Sequence, residues 1–212
     1  MRTLIKDGTV VTASDSFAAD VWIEGDKIAA IAAPAHRAAF GQPDLTLDAA
    51  GKYVIPGGID VHTHMSLPFG GTTASDDFHT GTVAAAHGGT TTIVDFAIQS
   101  KGSSMRSGLD AWHAKADGQA AIDYGFHLIM TEANDQTLAD MAAVVADGVT
   151  SFKMFMAYPG VFMVDDDQIF QAMLRASELG ALIHHAPRSG SRSTSSRSAR
   201  SPPARPRRST TR

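Results

Sequence analysis

The chain has 212 residues, 43% of them hydrophobic, which is enough for one sizeable core and for no more than one or two domains. It has no cysteine, which excludes disulfides and thiolate metal sites, and no stretch approaches the roughly 18 uninterrupted apolar residues of a membrane span. The net charge of -4 hides a split: eight of the 18 Lys and Arg fall in residues 187–212, which hold no Asp or Glu, so residues 1–186 are strongly acidic. The first residues, MRTLIKDGTVVTASD, carry no apolar run of signal-peptide length, and a cytoplasmic location is the expectation.

Residues 1–55 predict short strands. TLIKDGTVVT, ADVWIEGDKIAAI and TLDAAGKYVIPG alternate apolar and polar residues around Asp7-Gly8, Gly25-Asp26 and Gly51, which reads as a small antiparallel β layer. After Pro56 the pattern changes. GIDVHTH, TTTIVDFA, IDYGFHLIMT, TSFKMFMAY and ALIHHA read as strands, separated by the helix-length segments DDFHTGTVAAAHGG, SMRSGLDAWHAKADGQ, DQTLADMAAVVADG and DDDQIFQAMLRASELG. Five strands in strict alternation with four helices predict a parallel α/β fold over 56–186, short of the eight repeats of a closed barrel. The segment 187–212 has no large apolar side chain, no aromatic and four prolines. It cannot bury a core, and it is expected to be a disordered product of out-of-frame reading rather than a nucleic-acid-binding arm.

Ligand sites in parallel α/β folds lie at the C-terminal ends of the strands, and the unusual polar residues fall there. His62 and His64 end the first strand of this region, and residues i and i+2 of a strand project to one side, so both imidazoles can reach one ion. Lys153 interrupts an otherwise apolar strand, where an unpaired ammonium is costly; carbamylation would turn it into a bidentate carboxylate able to bridge two ions. His184 and His185 close the last strand. The isolated His79, His87, His113 and His127 are read as ordinary hydrogen-bonded or surface residues; Asp95, at the end of the second strand, could cap a helix or support a ligand from behind, and the structural reading is favoured.

PGGIDVHTHMSLPFGGTTASDDFHTGTVAAAHGGTTTIVDF together with SFKMFMAYPGVFMVDDDQIF resembles the dihydropyrimidinase and D-hydantoinase branch of the amidohydrolase superfamily. The resemblance implies a partial TIM-like (β/α)8 barrel of about five strands over 56–186, preceded at 1–55 by the N-terminal part of a small β-sandwich domain. It also implies two divalent metal ions, usually zinc, bridged by a carbamylated Lys153 and a hydroxide, with His62 and His64 on the more buried ion and Tyr158 hydrogen-bonded to the oxyanion. For the fifth-strand ligand His185 is the candidate, although it falls about one position early. The histidine and aspartate that the family takes from its sixth and eighth strands have no counterpart here, so this chain alone is expected to be inactive and poorly folded.

The implied reaction is ring-opening hydrolysis of a 5,6-dihydropyrimidine or 5-substituted hydantoin to an N-carbamoyl amino acid, by a protein of a commonly homotetrameric family with no nucleic-acid or membrane partner. Met65, Leu67, Phe69, Phe155 and Phe162 would line the pocket for the exocyclic group. Allantoinases and dihydroorotases are neighbouring possibilities, but the loop MSLPFGG lacks the arginine that dihydroorotases place there for a substrate carboxylate. A non-catalytic, dihydropyrimidinase-related scaffold is the other alternative; such proteins tend to lose the ligands that His62, His64 and Lys153 would supply.

Overall fold

The computed structural model describes residues 1–186; the segment expected to be disordered, 187–212, lies outside the described residues. The chain forms two compact units, Met1–Gly58 and the remainder from Ile59. Among the described residues no helix is long and apolar enough to cross a membrane.

The first unit contains β1 (Arg2–Val11), β2 (Ser16–Glu24), β3 (Lys27–Ala32), a 3-10 helix (Pro34–Phe40), β4 (Leu45–Asp48) and β5 (Tyr53–Val54). The sheet order is β3-β2-β1-β4, and β5 also pairs with β1. It is not the purely antiparallel layer that the turn residues predict, because β4 and β5 both run parallel to β1. The 3-10 helix is the reason: a connection longer than a hairpin carries the chain back to β1 in the same direction.

Val10, Ala19 and Val21 form the small core of this unit, with Ile5, Ile23 and Val54 packed on it. Beside it Asp20, fully buried, accepts hydrogen bonds from the Asp7 backbone N–H at 2.9 Å and from Arg37 Nε and Nη2 at 2.6 and 2.9 Å. Arg37 holds the Asp20 carboxyl below its ordinary value, against the opposing effect of burial. A carboxyl lowered in this way stabilises the fold fully above its unfolded value of about 4, and the contribution disappears as pH falls from there through the lowered folded value. Asp20→Asn is therefore expected to lower the melting temperature at pH 7 by roughly 5 °C, the shift that about 1 kcal/mol produces in a unit of this size. Melts repeated down to pH 3 should show the parent and variant converging.

The second unit continues with β6 (Gly58–Thr63), a small hairpin of β7 (Pro68–Phe69) and β8 (Thr72–Thr73), α1 (Phe78–His87), β9 (Thr90–Ile98), α2 (Met105–Ala116), β10 (Asp123–Ile129), α3 (Asp135–Ala146), β11 (Ser151–Phe155), α4 (Asp166–Leu179) and β12 (Leu182–Ala186). Five strands form one parallel sheet in the order β12-β11-β10-β9-β6, half of a TIM barrel. Local signals place the helices. Asp77 with Thr80, and Asn134 with Thr137, form capping boxes that satisfy the free N–H groups starting α1 and α3, and Ser104 caps α2. Met105, Leu109, Trp112 and Ala116 put one apolar stripe of α2 on the sheet, as Ile169, Ala172 and Ala176 do for α4. The strands answer from their helix-facing side with Ile93, Ala97, Leu128, Phe152 and Met154, which are fully buried. That packing fixes which strand residues are left to point to the other, inner face.

Candidate active site

The strand register decides which polar residues share the inner face. His127 is aligned with Phe96, Lys153 with Ile129, and His184 with Lys153. Residues aligned on adjacent strands project to the same side, so these residues line one surface. The Phe96 ring is its floor: the His62, His64 and His127 rings lie 4.7, 5.2 and 4.7 Å from it, centre to centre, and Lys153 Nζ lies 4.2 Å above it. The His62 and His64 rings meet edge to face at 5.1 Å, and the His184 ring is 4.9 Å from that of His127.

His184, and not His185, therefore joins the cluster. His185 is aligned with Met154, whose side chain is buried among the helices, so it points away from Lys153. Met65 is also turned away from the site. It follows His64 by one residue and packs instead into the core against α1, where its thioether fills the space left by the missing side chain of Gly81. Leu67, Phe69, Phe155, Tyr158 and Phe162 do gather beside His64 and Lys153, and with Ile98 and Ile129 they line a cavity of about 260 Å³. The Phe162 ring stacks on Phe155 at 5.2 Å and on Phe69 at 5.8 Å. Tyr158 closes this aromatic group with φ at 63°, a left-handed conformation that is costly for a bulky residue. Its carbonyl accepts from the N–H groups of Val161, Phe162 and Met163 at 3.1–3.2 Å, which holds the turn in place.

The electrostatics favour neutral nitrogen donors. Burial, and next the charge of Lys153, hold His62 and His64 below the ordinary histidine value; burial also lowers His184, followed by the neighbouring His127. Burial alone pushes Lys153 down. No carboxylate among the described residues pairs with its ammonium; two aromatic faces, Phe96 and Phe155, are its company. Three buried side-chain nitrogens of the described residues lack a hydrogen-bond partner, Trp22 Nε1, His64 Nδ1 and His184 Nε2, and two of the three are in this cluster. Unpartnered buried imidazole nitrogens carry a desolvation cost that a ligand would relieve. No three of the described His, Asp or Glu side chains converge closely enough to hold an ion by themselves.

His127, expected to be an ordinary hydrogen-bonded or surface residue, lies in the cluster as well. His127 bridges strands: Val61 O, which can only accept, lies 3.0 Å from Nε2, so Nε2 carries the proton and Nδ1 accepts from the Ser151 hydroxyl. Counting by twos along β10 from its end would have put His127 on the inner face, but nothing in the sequence pairs it with Val61, 66 positions away.

A sequence profile described as Amidohydrolase family matches residues 53–195. The D-hydantoinase of Streptomyces coelicolor is 62% identical over 183 residues, covering 86% of this chain and 39% of that protein, and the dihydropyrimidinase of Rattus norvegicus is 44% identical over 183 residues, covering 85% and 35%. The crystal structure of dihydropyrimidinase from Brevibacillus agri superposes with a TM-score of 0.85 at 51% identity, over 90% of this chain and 41% of that one. The chain thus spans about two fifths of the length of the relatives it matches. With a half-barrel fold, a histidine and lysine cluster at its strand ends and a profile match over most of its length, the chain belongs to the amidohydrolase family.

Proposed function

We propose that this chain carries the metal-binding and substrate-orienting half of a cyclic-amide hydrolase acting on 5,6-dihydropyrimidines or 5-substituted hydantoins. The observation that carries this reading is that two unpartnered buried imidazole nitrogens, His64 Nδ1 and His184 Nε2, share one face of the sheet with an ammonium that has no counter-charge among the described residues. His62, His64, Lys153 and His184 are the residues that would hold divalent ions, zinc being the proposed metal. Such ions, when bound, supply a nucleophile at neutral pH by acidifying water and polarise the ring carbonyl.

The chain's own residues do the rest. Burial lowers the proton affinity of Lys153, so its ammonium gives up one proton and the free amine attacks carbon dioxide; as the N–C bond forms the nitrogen gives up a second proton, and the former cation is an anionic, bidentate carbamate. That change removes the repulsion between Lys153 and any cation placed beside it. Tyr158, at the mouth of the cavity, donates its phenolic proton to the oxygen on which charge develops, and Leu67, Phe69, Phe155 and Phe162 receive the exocyclic group. The leaving ring nitrogen departs as the terminal nitrogen of an N-carbamoyl product.

The test is a chimaera joining residues 1–186 to the remaining portion of the Streptomyces coelicolor relative, assayed with dihydrouracil and a 5-substituted hydantoin. Turnover in both is expected, and a chimaera that folds and retains zinc but opens neither ring would refute the reading. In that chimaera Tyr158→Phe is expected to lower kcat/KM by roughly 10²-fold with metal content unchanged, because a donor serving only the transition state contributes to rate and not to metal retention. An unaltered rate would return Tyr158 to a packing role.

A further inference from the structure

Behind the inner face, on the side of the sheet that meets the helices, lies a carboxylate with no established task. Asp95 is fully buried in β9 and each of its oxygens accepts twice. Oδ2 takes the Thr63 hydroxyl at 2.9 Å and the Met65 N–H at 2.7 Å; Oδ1 takes its neighbour Phe96 N–H at 2.8 Å and the Trp112 indole N–H at 3.0 Å. Thr63 and Met65 are the two residues flanking His64. The carboxylate therefore grips the chain on both sides of one histidine, across 30 and 32 positions of sequence.

A second contact extends the grip. Lys115 Nζ sits 3.9 Å over the Trp112 ring and donates to Ser66 O at 3.1 Å, so the indole lies between a carboxylate at its edge and an ammonium on its face. Ser66 has φ at 50°, and its N–H is held by Asp76 O at 2.8 Å. A non-glycine residue stays in the left-handed region only where its surroundings over-determine it. Residues 63, 65 and 66 are thus each fixed from the helix layer, while the His64 ring is left on the opposite face with Nδ1 unpartnered. A structural role alone would be met by an apolar residue at position 95, as at Ile93 and Ala97 on the same side of β9; a buried carboxylate demanding four donors is costly unless its geometry is needed.

We propose that Asp95, backed by Trp112 and Lys115, is a positioning residue that sets the direction in which His64 presents its ring nitrogens, and through it the affinity of the metal site. The inference rests on the reading of His64 as a metal ligand. Outer-shell groups of this kind typically alter metal affinity by 10- to 100-fold.

The test uses the chimaera completed from the Streptomyces coelicolor relative, stripped of metal and titrated with Co2+ alone, with affinity measured by chelator competition and the ligand field by visible absorption. Thr63→Val, which removes one hydroxyl at nearly constant shape, and Trp112→Phe are each expected to weaken Co2+ binding about tenfold, and Asp95→Asn by up to about 100-fold. Thr63→Ser, which keeps the donor, should restore parental affinity and absorption, an outcome that general loosening of the core would not give. If Asp95→Asn does not fold, the Thr63→Val and Thr63→Ser pair decides the matter. Equal affinities for the parent and Thr63→Val would overturn the positioning role while leaving the metal reading intact. A folded parent that binds no Co2+ would overturn the metal reading and the positioning role with it.

Discussion

Lys153→Met, placed in the chimaera completed from the Streptomyces coelicolor relative, should retain almost no zinc and should hydrolyse dihydrouracil on the order of 10³-fold more slowly or worse. Its thermal stability, measured without metal, should equal or exceed that of the parent. The two halves of this expectation have one cause. Lys153 sits in β11 between the buried Phe152 and Met154, with its ammonium over two phenylalanine rings and no carboxylate among the described residues to repay its desolvation. Replacing it by an apolar side chain of similar length removes that cost, so stability gives no reason for lysine here. On the proposed reading, what methionine cannot do is give up protons, form a carbamate and supply oxygen donors to an ion held by His64 and His184. Elemental analysis for zinc, a melt in chelator and a rate assay read the three quantities separately. Undiminished zinc would refute the assignment, and a large drop in melting temperature would show that Lys153 serves the fold instead.

Much of this site was legible before any coordinates. The spacing of His62 and His64 is a local property of a strand, and a lysine amid Phe and Met residues is anomalous wherever the strand lies. The alternation of five apolar runs with four helical segments likewise follows from short-range periodicity, and it determined the half-barrel. The losses came where the answer depends on a neighbour distant in sequence. Choosing between His184 and His185 requires the offset between β11 and β12, because a shift of one residue exchanges the two faces. Met65 was assigned to the cavity by its position in the loop, yet the vacancy it fills belongs to Gly81 on a different element. Asp95 looked like one more strand-end carboxylate; its four donors come from residues 63, 65, 96 and 112, and no periodicity connects them. In the first unit, parallel pairing of β4 and β5 with β1 was hidden because alternation of polar and apolar residues carries no information about strand direction.

Gly108→Ala offers a test in which two magnitudes oppose each other and the structure says which wins. Gly108 lies in the fourth position of α2, where replacement of glycine by alanine ordinarily stabilises a helix by about 1 kcal/mol. Here a Cβ would stand 2.7 Å from the carbonyl oxygen of Ile98, 3.0 Å from its carbon and 3.1 Å from Gln99 Cα. These are backbone atoms at the end of β9, and no rotamer change moves them aside. Relief requires α2 to shift away from the sheet, which would disturb the fully buried Gln99. Its backbone N–H donates to Ile129 O at 3.0 Å, its side-chain amide donates to Ser103 O at 2.9 Å, and its carbonyls accept from the N–H and hydroxyl of Thr131. The same shift would draw Trp112, one turn further along α2, off Asp95. Overpacking of this kind typically costs about 1–3 kcal/mol, which exceeds the gain in helix propensity. Gly108→Ala is therefore expected to lower stability by about 1 kcal/mol net, the middle of the overpacking range less the gain in propensity, and Gly108→Val, with two further methyl groups and poorer helix propensity, by about 3 kcal/mol or more. Urea unfolding followed by tryptophan fluorescence measures both. A Gly108→Ala variant as stable as the parent would mean that α2 can slide over the end of β9 without cost, and the rigid support assigned to the strand ends would have to be abandoned.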